Sequence, residues 1–280
     1  KKKAYETFQD MVKGEFMALD MPNTKSDEGR AVLKRSYLDL FAALERLSGR
    51  TITLDSLRTG IQTVNNKRAA MHRLAKLRHA NPAPISGLDA LLANQVFFYD
   101  DPERFTDSVN KLCDELDQRI ATKVGAKPDW MPRIVISGCP MAVPNWKLPW
   151  IIESAGAVVV GEESCIGERG TQDMVSTDGQ SVDALIENLV DRYVSIDCAV
   201  FTPNPTRAEH ALQIATDAKA DGLIHYALQF CSPYQMEAPL LERHVENGGL
   251  PVLRIDTDYS QEDVGQLRTR VEAFIEQIKP

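Results

Sequence analysis

Five cysteines carry the most reactive groups of this sequence, and three of them occupy the same kind of position. Cys139 follows the apolar run RIVIS, Cys165 follows AVVVGEES and Cys231 follows LIHYALQF. Each run is predicted to be a buried strand, so each thiol lies where a strand ends. Thiolates are soft ligands that suit iron–sulfur groups. The alternative is core packing, because free cysteine is among the most buried residue types.

The two remaining cysteines differ from these three. Cys198 lies in SIDCAVFTPN, where it precedes or opens a short extended run. Cys113 lies on the apolar stripe of a predicted helix, which favours core packing. An odd number of cysteines in a chain of this size also argues against a disulfide framework.

Several other residues have side chains or backbone suited to chemistry. Gly138 and Gly167 leave room for close backbone approach. Glu162 and Glu163 could act in acid–base chemistry, although a charged strand end is the commoner explanation. His225 is predicted to be a core histidine, and GERG (167–170) is too short to indicate phosphate binding. The absence of G-x-x-x-x-G-K-[ST] argues against ATP hydrolysis by a P-loop.

Composition and charge argue against nucleic-acid binding and against a membrane-spanning helix. The 280 residues carry a formal net charge of -8, and no clustered Lys/Arg surface is evident. Nucleic-acid binding is therefore disfavoured, because phosphate neutralisation needs such a surface. No apolar segment approaches the roughly 20 residues that a membrane-spanning helix needs.

The first part of the chain is predicted to be helical. One helix carries an apolar face from Leu33 to Leu47 and ends near Gly49, and a second follows over 54–74. NPAPISG (81–87) interrupts the pattern, and a further helix begins with Asp101 as its N-cap.

Strands and helices alternate after residue 127. Strands are predicted at 134–137, 157–161, 199–201, 222–230 and 252–256, and helices near 147–155, 181–194, 207–219, 236–247 and at the C-terminal end. This alternation predicts an α/β fold with a doubly wound, mostly parallel sheet of the Rossmann or flavodoxin-like type. We therefore divide the chain into a mainly helical region, 1–127, and an α/β domain, 128–280, which is predicted to bind the iron–sulfur cluster. Ligands of such sheets bind at the carboxyl ends of the strands.

Five segments together resemble one protein family. They are SGCPM, GAVVVGEESCIGERG, DCAVFTPNPTR, DGLIHYALQFCSPYQME and RIDTDYSQEDVGQLRTRVEAFIE. In this order they look like the 2-hydroxyacyl-CoA dehydratase D-component and benzoyl-CoA reductase family, closest to its double-cubane cluster proteins. The resemblance covers essentially the whole chain.

The resemblance implies an oxygen-sensitive iron–sulfur cluster, either a cubane [4Fe–4S] or a double cubane. It matches Cys139 and Cys231 to ligands shared by the family, and Cys165 and Cys198 to the additional ligands of the double-cubane branch. An ATP-hydrolysing iron–sulfur activator is implied as the electron donor, as is a homodimer or a heterodimer with a related subunit. An anaerobic cytoplasm is the implied location.

Three functions remain open. The favoured one is an iron–sulfur redox enzyme component that reduces a small substrate with low-potential electrons. The alternatives are a 2-hydroxyacyl-CoA dehydratase subunit and a non-catalytic α/β domain with inert thiols. Family members have an N-terminal α/β segment with further cysteine ligands, and this chain opens at Lys1. We therefore expect the cluster of this chain alone to be partial or absent.

Overall fold

A computed structural model describes residues 2–279, without the side chains of Lys2 and Lys3. The strands among these residues are β1 (Arg133–Gly138), β2 (Val158–Glu163), β3 (Gly222–Leu228) and β4 (Val252–Thr257). The helices are α1 (Lys2–Met11), α2 (Asp27–Ser48), α3 (Leu54–Arg78), α4 (Gly87–Val96), α5 (Pro102–Ala121), α6 (Lys147–Ser154), α7 (Glu168–Thr171), α8 (Val182–Ser195), α9 (Thr206–Asp217), α10 (Ser232–Asn247) and α11 (Val264–Ile278).

The chain folds into two compact units. One comprises the described residues up to Gln62 together with Val175–Ser195, and its core is formed by apolar side chains of α2 and α8. The other comprises Thr63–Met174 together with the described residues from Ile196 onward, and it contains the sheet and all five cysteines. The division into 1–127 and 128–280 stays a prediction.

Helix ends follow the signals in the sequence. The Ser26 side chain accepts a hydrogen bond from the Gly29 N–H, and α2 ends at Gly49 in the left-handed conformation, with φ 66°. The Asp101 carboxylate accepts the N–H groups of Glu103 and Arg104 at 3.1 and 3.0 Å, and it thereby caps α5 as predicted.

The sheet is parallel throughout, in the order β2-β1-β3-β4. One face packs against α6 and α11 through side chains that include Ile134, Ile136 and Ile224. The other packs against α9 and α10 through Val135 and Val160. Helices on both faces of a parallel sheet confirm the predicted doubly wound α/β fold. Its strand order corresponds to the first four strands of the flavodoxin-like arrangement.

One predicted strand is wrong. Residues 199–201 form a turn instead, which is closed by a hydrogen bond from the Phe201 N–H to the Cys198 carbonyl at 3.0 Å. Pro203 and Pro205 follow, and neither can donate a backbone hydrogen bond to a ladder.

No helix in the part of the chain that the structure describes combines the length and apolar character needed to cross a membrane.

Candidate metal centre

Three cysteines follow neighbouring strands at the same edge of the sheet, as the sequence predicts. Strand β1 lies between β2 and β3, so the segments after these strands leave the sheet side by side. Cys139 directly follows β1, Cys165 comes two residues after β2, and Cys231 is the N-cap of α10 after β3. The chain crosses from β1 to β2 on one side and later returns to β3 on the other. Such a reversal opens a crevice at the carboxyl ends of the strands.

Gly138 allows the β1 terminus to pass close to β3. Its φ is +133°, and a Cβ atom built there would lie 1.9 Å from the Tyr226 carbonyl oxygen. The next residue fixes this approach, because the Cys139 N–H donates to the same oxygen at 2.9 Å. Only glycine adopts this conformation without strain. Gly138 therefore sets where the Cys139 thiol lies.

Cys139 and Cys231 form one thiol pair. The two side chains lie close enough to interact electrostatically, and the Leu228 N–H donates to Cys139 Sγ at 3.4 Å. Burial raises the pKa of Cys139, which is only 1% exposed. The Cys231 N–H donates to the Leu228 carbonyl at 2.9 Å, so the end of β3 holds both partners.

Cys165 and Cys198 form a second pair. The two thiols interact electrostatically, so that the pKa of Cys198 is lowered chiefly by Cys165 and the pKa of Cys165 is raised by Cys198 and by burial. The Tyr234 hydroxyl lies 3.8 Å from Cys198 Sγ. Although Cys198 lies on a turn rather than a strand, the structure places it beside a strand-end thiol.

The four cysteines fit an iron–sulfur group in kind, because all four donors are soft sulfur atoms at one ligand-binding edge. They form two pairs rather than one cluster of ligands. No group of three or more His, Cys, Asp or Glu side chains is placed to hold a metal ion within residues 2–279. Each pair therefore offers two of the ligands that an iron–sulfur cluster requires.

Cys113 and His225 are core residues, as predicted. Cys113 is fully buried in the cluster formed by α3, α4 and α5, where burial raises its pKa to about 11. His225 is 1% exposed, and its Nε2 donates to the Tyr234 carbonyl at 3.2 Å. Burial lowers the pKa of His225 to about 3, so the ring is neutral.

The acidic residues at the end of β2 are buried rather than solvated, a feature that the sequence did not reveal. Glu163 forms ion pairs with Arg169 at 2.8 Å and Arg207 at 3.2 Å. Glu162 accepts a hydrogen bond from Asn94 at 2.6 Å and lies 3.6 Å from Arg78. Burial raises the pKa of Glu162. The only sequence signal was two carboxylates placed in an otherwise apolar strand.

A cavity of about 570 Å³ adjoins the cysteine-bearing segments. It is lined by the turn after Cys198, including Phe201 and Asn204, and by the first turns of α10, including Met236 and Glu237. Asn204 Nδ2 donates to Glu237 Oε1 at 3.0 Å across these two segments. The mostly apolar lining suits a small, weakly polar molecule.

Glu168 gives the structure a pH-dependent contribution to stability. Removal from water raises the pKa of its carboxyl to about 7, and Arg78 partly offsets this effect. The folded protein thus keeps a proton that the unfolded chain loses near pH 4.5, so stability falls as pH rises from about 4.5 to about 7.

We expect Glu168→Gln to flatten this dependence and to raise the melting temperature at pH 8. Thermal unfolding at pH 5 and pH 8 measures the effect, with the exposed surface carboxylate Glu209→Gln as the control. Equal slopes for wild type and Glu168→Gln would contradict the assignment.

Comparison with known proteins identifies relatives along the whole chain. The sequence model of the family described as 2-hydroxyglutaryl-CoA dehydratase, D-component, matches residues 1–278. YjiM of Escherichia coli (strain K12), whose name assigns it provisionally as a dehydratase subunit, is 35% identical over 99% of this chain and 71% of its own length.

Two further relatives belong to enzymes that act on CoA esters by name. The (R)-phenyllactyl-CoA dehydratase beta subunit of Clostridium sporogenes is 26% identical over 94% of this chain and 68% of its own length. A benzoyl-CoA reductase subunit of Thauera aromatica is 25% identical over 93% of this chain and 66% of its own length.

Proposed function

Because the chain belongs to the 2-hydroxyglutaryl-CoA dehydratase D-component family, we propose that it is the iron–sulfur component of a redox enzyme. In this proposal it receives low-potential electrons from an ATP-dependent activator and reduces a small substrate. Cys139, Cys165, Cys198 and Cys231 are the proposed metal ligands. The observation that carries the proposal is their arrangement as two thiol pairs at the ligand-binding edge of a parallel sheet.

The pairing supports a double-cubane group rather than a single cubane. Two separate pairs provide thiol ligands at two places. When bound, such a group supplies the transfer of single electrons at low potential. The four thiols would hold the group, and the residues at the ends of β1 and β2 beside them are buried.

The second candidate is a 2-hydroxyacyl-CoA dehydratase subunit, in which water is eliminated from the thioester. It is supported by the name of the phenyllactyl-CoA dehydratase relative. Both of these CoA-ester relatives are named as subunits, which also supports a partner chain, either a related one or a second copy. Free thiols at the site suit a reducing cytoplasm.

A parallel assay separates the two candidates. The full-length protein would be supplied anaerobically with an ATP-dependent activator, ATP and a reductant, and then offered either acetylene or a 2-hydroxyacyl-CoA ester. We expect ATP-dependent reduction of acetylene without dehydration of the ester, because the cavity beside the cysteines has a mostly apolar lining. Dehydration without acetylene reduction would instead support the dehydratase. If neither reaction occurs and the protein binds no iron, the remaining interpretation is a non-catalytic domain with inert thiols.

A further inference from the structure

Arg169 is a buried charged side chain enclosed by the cysteine-bearing segments. It lies on α7, four residues after Cys165, and its side chain is 1% exposed. Nη2 donates to the Gly138 carbonyl at 2.9 Å and to the Tyr234 hydroxyl at 2.7 Å. Nη1 donates to the Asp197 carbonyl at 3.1 Å and forms the ion pair with Glu163. One planar guanidinium thus contacts four different segments of the chain.

These contacts lie beside the cysteines. Gly138 directly precedes Cys139, and Asp197 directly precedes Cys198. Tyr234 belongs to the first turn of α10, where its N–H donates to the Cys231 carbonyl at 3.1 Å. Cys165 belongs to the same β2–α7 segment as Arg169 itself. A single side chain therefore ties together the segments that carry all four cysteines.

The buried positive charge of Arg169 is only partly balanced by its partners. Its carboxylate partner among the described residues is Glu163, which it shares with the equally buried Arg207. Its other acceptors described above are neutral oxygens, and burying a cation without full compensation is costly.

We propose that Arg169 is the positioning residue that holds the four cysteine-bearing segments together and prepares both thiol pairs before any metal group binds. The fork of the guanidinium suits this role, because its five N–H donors point in fixed directions. An ammonium group is compact and cannot reach the same set of acceptors at once. The inference rests on the proposed function only in treating the four cysteines as one binding site.

Arg207 provides a matched control. Its side chain is also 1% exposed, and it shares the Glu163 carboxylate. Its remaining contacts are the side chains of Ser137 at 3.1 Å and Glu237 at 2.5 Å and the ring of Tyr234, 4.9 Å from its guanidinium carbon, rather than the backbone carbonyls that precede Cys139 and Cys198. If disturbing any buried arginine were enough to impair the thiol pairs, Arg207→Lys would therefore impair them as much as Arg169→Lys does.

Phenylarsine oxide measures thiol pairing without iron. Each molecule condenses with two neighbouring thiols to give two As–S bonds and one water, with no change in oxidation state. We expect the iron-free, reduced, full-length wild type and Arg207→Lys to bind two equivalents tightly at these two thiol pairs. We expect Arg169→Lys and Arg169→Met to bind at least one equivalent more than tenfold more weakly. Circular dichroism gives the folded fraction of each variant, so that affinities are compared per folded molecule.

Two results would overturn the proposal: wild-type arsenical binding by both Arg169 variants, or equal weakening in Arg169→Lys and Arg207→Lys. The iron content of the wild type is measured separately. Its absence would contradict the proposed function without changing the arsenical comparison, so the two failures are distinguishable.

Discussion

Replacing Cys139 or Cys231 by alanine should abolish the iron–sulfur absorption and EPR signals of the full-length protein. These two thiols interact electrostatically and follow β1 and β3, the neighbouring strands at which the crossover direction reverses. Alanine removes one of the two sulfur donors of the pair, and no group of three or more His, Cys, Asp or Glu side chains among the described residues is placed to hold a metal ion without it. The measurement is the absorption and EPR spectrum of anaerobically purified protein, before and after reduction with dithionite.

Cys113→Ala is the matched control for this change. Cys113 is as deeply buried as Cys139, but it packs among apolar side chains of α3, α4 and α5. We expect it to lower stability modestly and to leave both spectra unchanged. If the Cys139 and Cys231 variants kept wild-type spectra, the site would be assigned to the wrong residues.

Replacing Gly138 by alanine should have the largest effect on stability. The new Cβ would lie 1.9 Å from the Tyr226 carbonyl oxygen, and the φ of +133° is unfavourable for any side chain. We expect a loss of about 2–6 kcal/mol, because strained backbone and overpacking each cost about 1–3 kcal/mol. Urea unfolding measures this loss, and the displaced β1 terminus should also weaken metal binding at Cys139.

Gly156→Ala separates the two causes of that loss. Gly156 also has a positive φ, +97°, but nothing lies within 4 Å of the position that a Cβ would take there. It should therefore show the backbone cost of about 1–3 kcal/mol without the collision. Equal losses for both substitutions would show that the contact between β1 and β3 is not tight at Gly138.

The sheet and its cysteine-bearing edge could be predicted because their signals are local. RIVIS and the run around Val159 have too few polar residues for anything but buried strands, and Gly49 and Asp101 mark helix ends by their own conformational and capping preferences. Parallel strands then place their following residues at one edge, which brings Cys139 and Cys231 together.

The arrangement within the site could not be predicted, because it depends on contacts between residues far apart in the chain. The residues AVF at 199–201 have strand preferences and therefore predicted a strand. The structure has a turn there instead, closed by a hydrogen bond to the Cys198 carbonyl. The pairing of Cys165 with Cys198 follows from that turn. Arg169 looked like one charge in a short GERG segment, and only the fold shows that its partners are Gly138 and Asp197.

Chemical analysis of iron and acid-labile sulfide tests most directly whether the two thiol pairs bind an iron–sulfur group. The samples are anaerobically purified full-length wild type, Cys113→Ala, and the double alanine variants of each pair, Cys139 with Cys231 and Cys165 with Cys198. We predict roughly equal iron and sulfide in wild type and Cys113→Ala, as in [4Fe–4S] cubanes, and a clear loss of both in each double variant. Wild type without iron, or double variants with the iron and sulfide content of wild type, would contradict the binding of an iron–sulfur group by these four cysteines.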